Sequence, residues 1–307
     1  MNFLPLTFNL PKEFTQLSVK FHEEEMLNKD QNYWIMKPIG KSRGRGIKVI
    51  SSLSELNYID NIVVQKYIAN PLLIDGYKFD MRVYVLVTNF HPLEAFVYKE
   101  GFARLSTEKY SLDANSIKNT FIHLTNFSVN KNNVEGKSNF NSGSKISMKT
   151  LKDKLTRMGY SFPNIWAQVH DILIKSLLGC SVSVPNFPTA FELFGYDVMV
   201  DQAGGCHLIE VNASPSLERS YMLDEIVKQN LIDDIIDIVN PPDFDKKELL
   251  DVLGERIQAM SAGKKIPIED DLIGLARILK YKPIRKVGEM PEKLGLFERI
   301  APSPASL

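Results

Sequence analysis

Two carboxylates placed on either side of a short turn are the residues in this chain best suited to chemistry. They lie in Phe191-Glu192-Leu193-Phe194-Gly195-Tyr196-Asp197-Val198-Met199-Val200, a turn Asp201-Gln202-Ala203-Gly204-Gly205, and Cys206-His207-Leu208-Ile209-Glu210-Val211-Asn212. A hairpin symmetric about the Ala203–Gly204 bond pairs residues whose numbers sum to 407, which sets Asp197 opposite Glu210. Asn212 follows two residues further along the same face. Opposed like charges destabilise a sheet unless something compensates them, and Mg²⁺ held by carboxylates and nucleotide phosphates is a natural compensator. The alternatives are that one carboxylate points to solvent or that a bulge moves the pair apart. The apolar flanks Val198, Val200, Leu208 and Val211 are expected to be buried, which favours a functional reason for the acids.

A second group of residues suits phosphate. Trp34-Ile35-Met36-Lys37-Pro38 ends an apolar strand with a lysine, just before the glycine-rich Gly40-Lys41-Ser42-Arg43-Gly44-Arg45-Gly46. Gly44 and Gly46 let backbone amides approach phosphate oxygens closely, while Lys37 supplies a point charge; a mobile surface turn is the alternative. Neither a Walker A motif nor a G-x-G-x-x-G opening a helix can be aligned. In Lys78-Phe79-Asp80-Met81-Arg82-Val83-Tyr84 the period-2 alternation puts Lys78, Asp80 and Arg82 on one face. The apolar continuation through Val87 marks a central strand, so those three charges read as the wall of a site.

These residues need elements to hold them, and the composition allows a packed core. The chain has 307 residues with 44 % hydrophobic and 24 % charged, which excludes disorder for most of its length. The longest central apolar run, Val83 to Val87, is far below the ~18 residues of a membrane span. Met1-Asn2-Phe3-Leu4-Pro5 lacks the basic start of a signal peptide. Cys180 and Cys206 read as two reduced, buried thiols without metal spacing. The net charge of zero hides a first half (1–150) of +5, from 19 basic and 14 acidic residues, and a remainder of −5. Helix is expected over 12–29, strands over 33–38, 47–50, 62–68, 79–88 and 93–99, and a short helix capped by Ser54. Residues 128–149, rich in Asn, Ser, Gly and Lys, read as a functional loop or disorder. Helix over 150–178, strands over about 190–200 and 206–212, and helix beyond 218 complete an α+β pattern.

Several blocks together carry a family resemblance: Trp34 to Pro38, Arg43-Gly44-Arg45-Gly46-Ile47, Gln65-Lys66-Tyr67-Ile68, Asn70-Pro71-Leu72-Leu73-Ile74, Lys78 to Arg82, His123-Leu124-Thr125-Asn126, Phe194 to Asp197, and Glu210-Val211-Asn212-Ala213-Ser214-Pro215. In this order they resemble the tubulin–tyrosine-ligase-like family, in particular its tubulin glutamate ligases. The resemblance implies an ATP-grasp fold with ATP between two lobes. It assigns 1–66 to the middle, nucleotide-clamping lobe, 67–217 to the catalytic lobe and 218–307 to a helical extension, with the family's N-terminal lobe absent. By the same resemblance Lys37, Arg43, Gly44, Arg45, Gly46, Ile47, Lys78 and Asp80 hold ATP. Gln65, Lys66, Tyr67 and Ile68 form the hinge around the adenine, and Thr125 and Asn126 contact the nucleotide. Asp197, Glu210 and Asn212 match the Mg²⁺ ligands. Arg104, Phe127, Ser128, Lys145 and Asn212 match positions for the incoming amino acid, with Arg104, Lys145 and Glu210 central to catalysis.

The chemistry implied is conversion of a carboxylate into an acyl phosphate, followed by attack of a free amine to form an amide. It needs positioning cations rather than a protein nucleophile, so His123 and His207 read as structural. Lys145 and Arg104 can pair both carboxylates of free L-glutamate, which favours glutamate over glycine. Arg43 resembles the residue found in members that start side chains rather than lengthen them. The implied partner is tubulin or the microtubule, through acidic tails that a basic first half attracts. No nucleic acid or membrane is implied. A monomer in the cytoplasm and cytoskeleton, including cilium, flagellum or basal body, is expected. A glycine ligase and an inactive microtubule-binding member of the fold are the alternatives.

Overall fold

Alternating apolar residues build two antiparallel sheets in the computed structural model, which describes residues 3–27, 32–41, 44–57, 61–134, 144–185, 187, 190–241, 244–265, 267–279 and 285–302. The smaller sheet contains β1 (Thr7–Leu10), β2 (Trp34–Pro38), β3 (Lys48–Ile50) and β4 (Ile62–Lys66) in the order β1-β4-β2-β3. Helix α1 (Phe14–Leu27) buries Leu17 and Phe21 in a cluster with Phe8, Trp34, Ile50 and Val64. Each such side chain contributes about 1.5–3 kcal/mol through burial. A 3₁₀ turn, Leu53–Glu55, is capped by Ser52 rather than Ser54, because the Ser52 side chain accepts from the Ser54 amide.

The larger sheet contains β5 (Leu73–Ile74), β6 (Tyr77–Phe90), β7 (Leu93–Leu105), β8 (Lys145–Ser147), β9 (Glu192–Val200), β10 (Cys206–Asn212) and β11 (Phe297–Ala301). Its order is β10-β9-β6-β7-β11, with β5 on β6 and β8 on β7. One face packs on α4 (Met148–Arg157) and α5 (Phe162–Ser181) through Leu151, Leu155, Ile165, Val169 and Ile172. The single helix expected over 150–178 is therefore two. Gly159 takes φ +88° after α4, and Ser161 caps α5 by accepting from the Asn164 amide. Helices α2 (Thr120–His123) and α3 (Phe127–Val134) precede β8, and the His123 carbonyl at the end of α2 accepts from Lys78 of β6 at 2.8 Å. The polar stretch 128–149 thus opens on a helix and ends in β8 and the start of α4; 135–143 lie outside the described residues.

Two further readings are corrected. Residues beyond 218 form α6 (Met222–Val239), α7 (Lys246–Ser261) and α8 (Ile268–Ile278), but β11 then joins the large sheet beside β7. Its aromatic Phe297 is buried, 4.7 Å from the Tyr98 ring. Cys206 is buried as expected, whereas Cys180 is exposed on α5; both are free thiols. By compactness the chain divides into Met1–Leu231 with Leu296–Leu307, and Ile232–Gly295. Within the second unit, Arg277 of α8 donates to Glu248 of α7 at 2.6 Å. Among the described residues no helix is long and apolar enough to cross a membrane.

Candidate active site

The pairing of β9 and β10 decides where the two carboxylates point. From Cys206 to Leu208 the partners sum to 406, not 407: Cys206 faces Val200 and Leu208 faces Val198. Continued unbroken, that ladder would set Glu210 beside Tyr196, on the core face. A bulge between Leu208 and Glu210 shifts the register by one, so Glu210 pairs with Asp197 and Asn212 with Gly195. The irregularity brings the acids together instead of separating them. Val211, expected to be buried, is 41 % exposed because β10 is the edge strand.

Cross-strand pairs then assemble the rest of the face. Lys145, Arg104 and Asp80 form one row across β8, β7 and β6. Phe102, Arg82, Asp197 and Glu210 form the next, across β7, β6, β9 and β10. Arg104 donates to both oxygens of Asp80, at 2.7 and 2.5 Å, and to Asp197 Oδ2 at 2.7 Å. Arg82 donates to Asp197 Oδ1 at 2.5 Å and Oδ2 at 3.2 Å. Burial alone would raise the Asp197 carboxyl, but the two guanidinium groups outweigh it and hold it well below the usual carboxylate range. Thr125 Oγ1 adds a hydrogen bond to Asp80 Oδ2 at 2.7 Å. Glu210 opens onto the cleft, yet the surrounding protein and then the adjacent Asp197 push its carboxyl up to about 6.

This face meets the smaller sheet across a cleft of about 630 Å³, open to solvent. Lys37, Ile47, Gln65, Lys66, Tyr67, Ile68, Lys78, Asp80, Arg104, Thr125, Asn126, Asp197 and Glu210 line it. Lys37 Nζ donates to Gln65 Oε1 at 2.8 Å and to the Ile209 carbonyl, at the bulge, at 3.4 Å. Lys78 is buried; its Nζ donates to Tyr67 Oη at 2.9 Å and to the His123 carbonyl at 2.8 Å. Burial pushes its ammonium down to about 7. Tyr67 Oη lies 2.9 Å from His123 Nδ1, and His123 Nε2 lies 3.1 Å from the Ser116 carbonyl. Burial, then the Lys78 charge, pushes His123 down to about 4, which leaves a neutral, structural imidazole. His207 pairs with Asp201 in the turn, 2.8 Å apart. The Lys66 ammonium is turned to Asn32 and Glu24, at 3.0 and 3.2 Å.

Gly44 is packed against α3: an added Cβ there would lie 2.8 Å from Val129 and 3.2 Å from Asn126, and its φ is +74°. Gly44, Arg45 and Gly46 are not among the residues lining the cleft, although Ile47 is. Arg43 lies outside the described residues.

A wider cavity, about 1330 Å³ counted together with the solvent it opens onto, adjoins the cleft and shares Arg104, Asn126 and Glu210 with it. Phe127, Ser128, Lys145 and Asn212 line it, as do residues not assigned from sequence: Arg82, Tyr84, Asp224 and Lys228. Arg82 had a signal, since alternation put it on the face of Lys78 and Asp80. Asp224 and Lys228 had none, standing 79 residues or more beyond Lys145 in what reads as an ordinary helix.

Among the described residues no group of three or more His, Cys, Asp or Glu is arranged to hold a metal. The trio Asp197, Glu210 and Asn212 offers oxygen donors only, the type Mg²⁺ takes. Both Asp197 oxygens already accept from arginines, so Glu210 is the carboxylate whose surplus charge a cation would relieve. The donor chemistry fits the ion.

Comparison with known proteins adds to this geometry. Residues 1–248 match the family described as Tubulin-tyrosine ligase family. The chain is 39 % identical over 241 residues to the human protein named probable tubulin polyglutamylase TTLL2, covering 77 % of this chain and 40 % of that protein. It is 39 % identical over 249 residues to human tubulin polyglutamylase TTLL5, covering 77 % and 19 %. It is 31 % identical over 347 aligned positions to human tubulin monoglutamylase TTLL4, covering 99 % and 28 %. The chain therefore spans less than half the length of these relatives.

Proposed function

The chain belongs to the tubulin-tyrosine ligase family, and from that premise we propose that it is an ATP- and Mg²⁺-dependent ligase that adds glutamate to glutamate side chains of tubulin C-terminal tails. The observation that carries this reading is the joined pair of cavities, with Arg104 and Glu210 at their junction. In the ATP-grasp architecture we infer, residues 1–66 are the clamping lobe and 67–217 the catalytic lobe, to which β11 adds a strand.

ATP, when bound with Mg²⁺, supplies the phosphoryl group that makes the acceptor carboxylate a good acyl donor. Lys37 and Lys78 hold phosphate oxygens from opposite sheets, and the Gln65–Ile68 segment takes the base. Asp197, Glu210 and Asn212 hold the ion. Arg82 and Arg104, fixed by Asp80 and Asp197, keep their charge beside the reacting centre without reorganising, which is where preorganised cations lower a barrier most. Lys145 and Ser128 orient free L-glutamate so that its amine reaches the activated carbonyl, turning a bimolecular encounter into a local one. The names of the polyglutamylase and monoglutamylase relatives support glutamate as the transferred amino acid. The site of action is then the cytoskeleton, including cilia.

The test offers radiolabelled glutamate and glycine separately, with tubulin and ATP, to the parent chain and Glu210→Gln. Incorporation of glutamate by the parent and none by the variant is expected. Preference for glycine, or full activity of Glu210→Gln, would sink the assignment.

A further inference from the structure

One buried charge cluster in the wider cavity has more positive than negative members. Asp224, in the first turn of α6, is fully buried. Its two oxygens accept from Lys145 Nζ at 2.8 and 2.9 Å, and Lys228 Nζ lies 3.1 Å from Oδ1. The Lys145 ammonium stands 4.5 Å from the Phe127 ring centre and 5.4 Å from that of Phe102, and Lys228 is 5.8 Å from Phe102. Lys228 also donates to the Glu218 carbonyl. The lysine side chains are only 9 % and 6 % exposed.

Charge counting separates this cluster from the neighbouring one. Arg82 and Arg104 are answered by Asp80 and Asp197, with Glu210 beside Asp197, so that cluster carries no positive surplus. Lys145 and Lys228 share a single carboxylate, two against one. A buried charge without a counter-charge is costly, and aromatic faces offset only part of that cost. Burial, and further the charges of Lys228 and Arg104, lower the Lys145 ammonium in spite of Asp224. The surplus faces a cavity large enough for an amino acid, and a ligand carboxylate there would complete the balance.

We propose that Lys228 is a second specificity-determining cation for the incoming amino acid, sharing one of its carboxylates with Lys145, and that Asp224 is the positioning residue that holds both ammonium groups toward the cavity. The inference rests on the ligase reading above. An ion cluster that merely braces α6 against the sheet would instead affect stability and every substrate alike.

The experiment measures steady-state kinetics of the full chain with tubulin, together with direct binding of labelled L-glutamate in the presence of a non-hydrolysable ATP analogue. Lys228→Met should raise the KM and the dissociation constant for glutamate about tenfold or more, the size expected for losing a charge-assisted hydrogen bond. The KM for ATP should stay within about twofold, and Lys228→Arg should recover most of the glutamate affinity. Lys228→Gln keeps a donor for the Glu218 carbonyl and gives the same rise should the methionine variant fail to fold. An unchanged KM for glutamate in the folded variants overturns the proposal while leaving the ligase reading intact. Equal weakening of ATP and glutamate, not recovered by Lys228→Arg, also overturns it. A parent chain that neither binds nor incorporates glutamate overturns the ligase reading and this proposal with it.

Discussion

Arg104 illustrates how closely fold and chemistry are joined at single residues. Its guanidinium is the counter-charge for two buried carboxylates, Asp80 and Asp197, as well as a wall of both cavities. Removing one partner of a buried ion network leaves uncompensated charge, at a cost of about 3–5 kcal/mol. Arg104→Met should therefore lower the unfolding free energy measured by urea denaturation by an amount in that range, and an unchanged value would contradict the network as drawn. Lys78 makes a different prediction. Its folded pKa, about 7, lies far below the ordinary lysine value because the side chain is buried. The sign follows: between about 7 and the unfolded value the folded chain binds fewer protons than the unfolded one, so this residue's burial penalty is relieved as pH rises. A phosphate bound at Lys78, as proposed, would restore the charged form. ATP binding at pH 8 should accordingly take up protons, read as different heats in buffers of different ionisation enthalpy. Equal heats would refute Lys78 as a phosphate ligand.

At the scale of elements, the acid pair depends on the bulge at Ile209. Reading the sequence for hairpin symmetry reaches the right partners, Asp197 and Glu210, through the wrong ladder, because a bulge leaves no mark in residue type. The alternation of Lys78, Asp80 and Arg82 was legible, since period-2 patterning in a central strand reports faces directly. The position of Lys145 opposite Arg104 was not, because β8 is a three-residue strand in a polar stretch. Asp224 and Lys228 were equally hidden, because what makes them part of the cavity is tertiary packing. Nor did the C-terminal region declare β11: its strand is short, and only pairing with β7 gives Phe297 a place to be buried. Gly195 provides an element-scale test. It lies on β9 on the face of Asp197, and an added Cβ would sit 2.9 Å from Pro215 and 3.1 Å from Arg82 Cδ. Gly195→Ala should displace Arg82, reducing activity tenfold or more for about 1–3 kcal/mol of stability. Wild-type kinetics in that variant would show that Arg82 needs no fixed place.

The first compact unit draws on distant parts of the chain. Lys37 and Gln65 of the cleft come from β2 and β4, the charged rows from β6 to β10, and the last strand of the larger sheet from β11. Phe297→Ala should cost about 3–5 kcal/mol, the usual price of emptying a buried aromatic site. Chemical denaturation measures it, and a loss below 1 kcal/mol would mean that β11 is dispensable to the sheet. The zero net charge divides into a basic first half and an acidic remainder, and the cationic wall of the wider cavity belongs to both, with Lys228 supplied by the acidic part. We propose that this whole arrangement attaches glutamate to tubulin tails. Mass spectrometry of tubulin C-terminal peptides, after incubation with the full chain, ATP, Mg²⁺ and L-glutamate, tests it most directly. The expected products are peptides heavier by one or more glutamyl residues, branched from glutamate side chains and absent when ATP is omitted. Tails of unaltered mass, with an intact and nucleotide-binding chain, would contradict it.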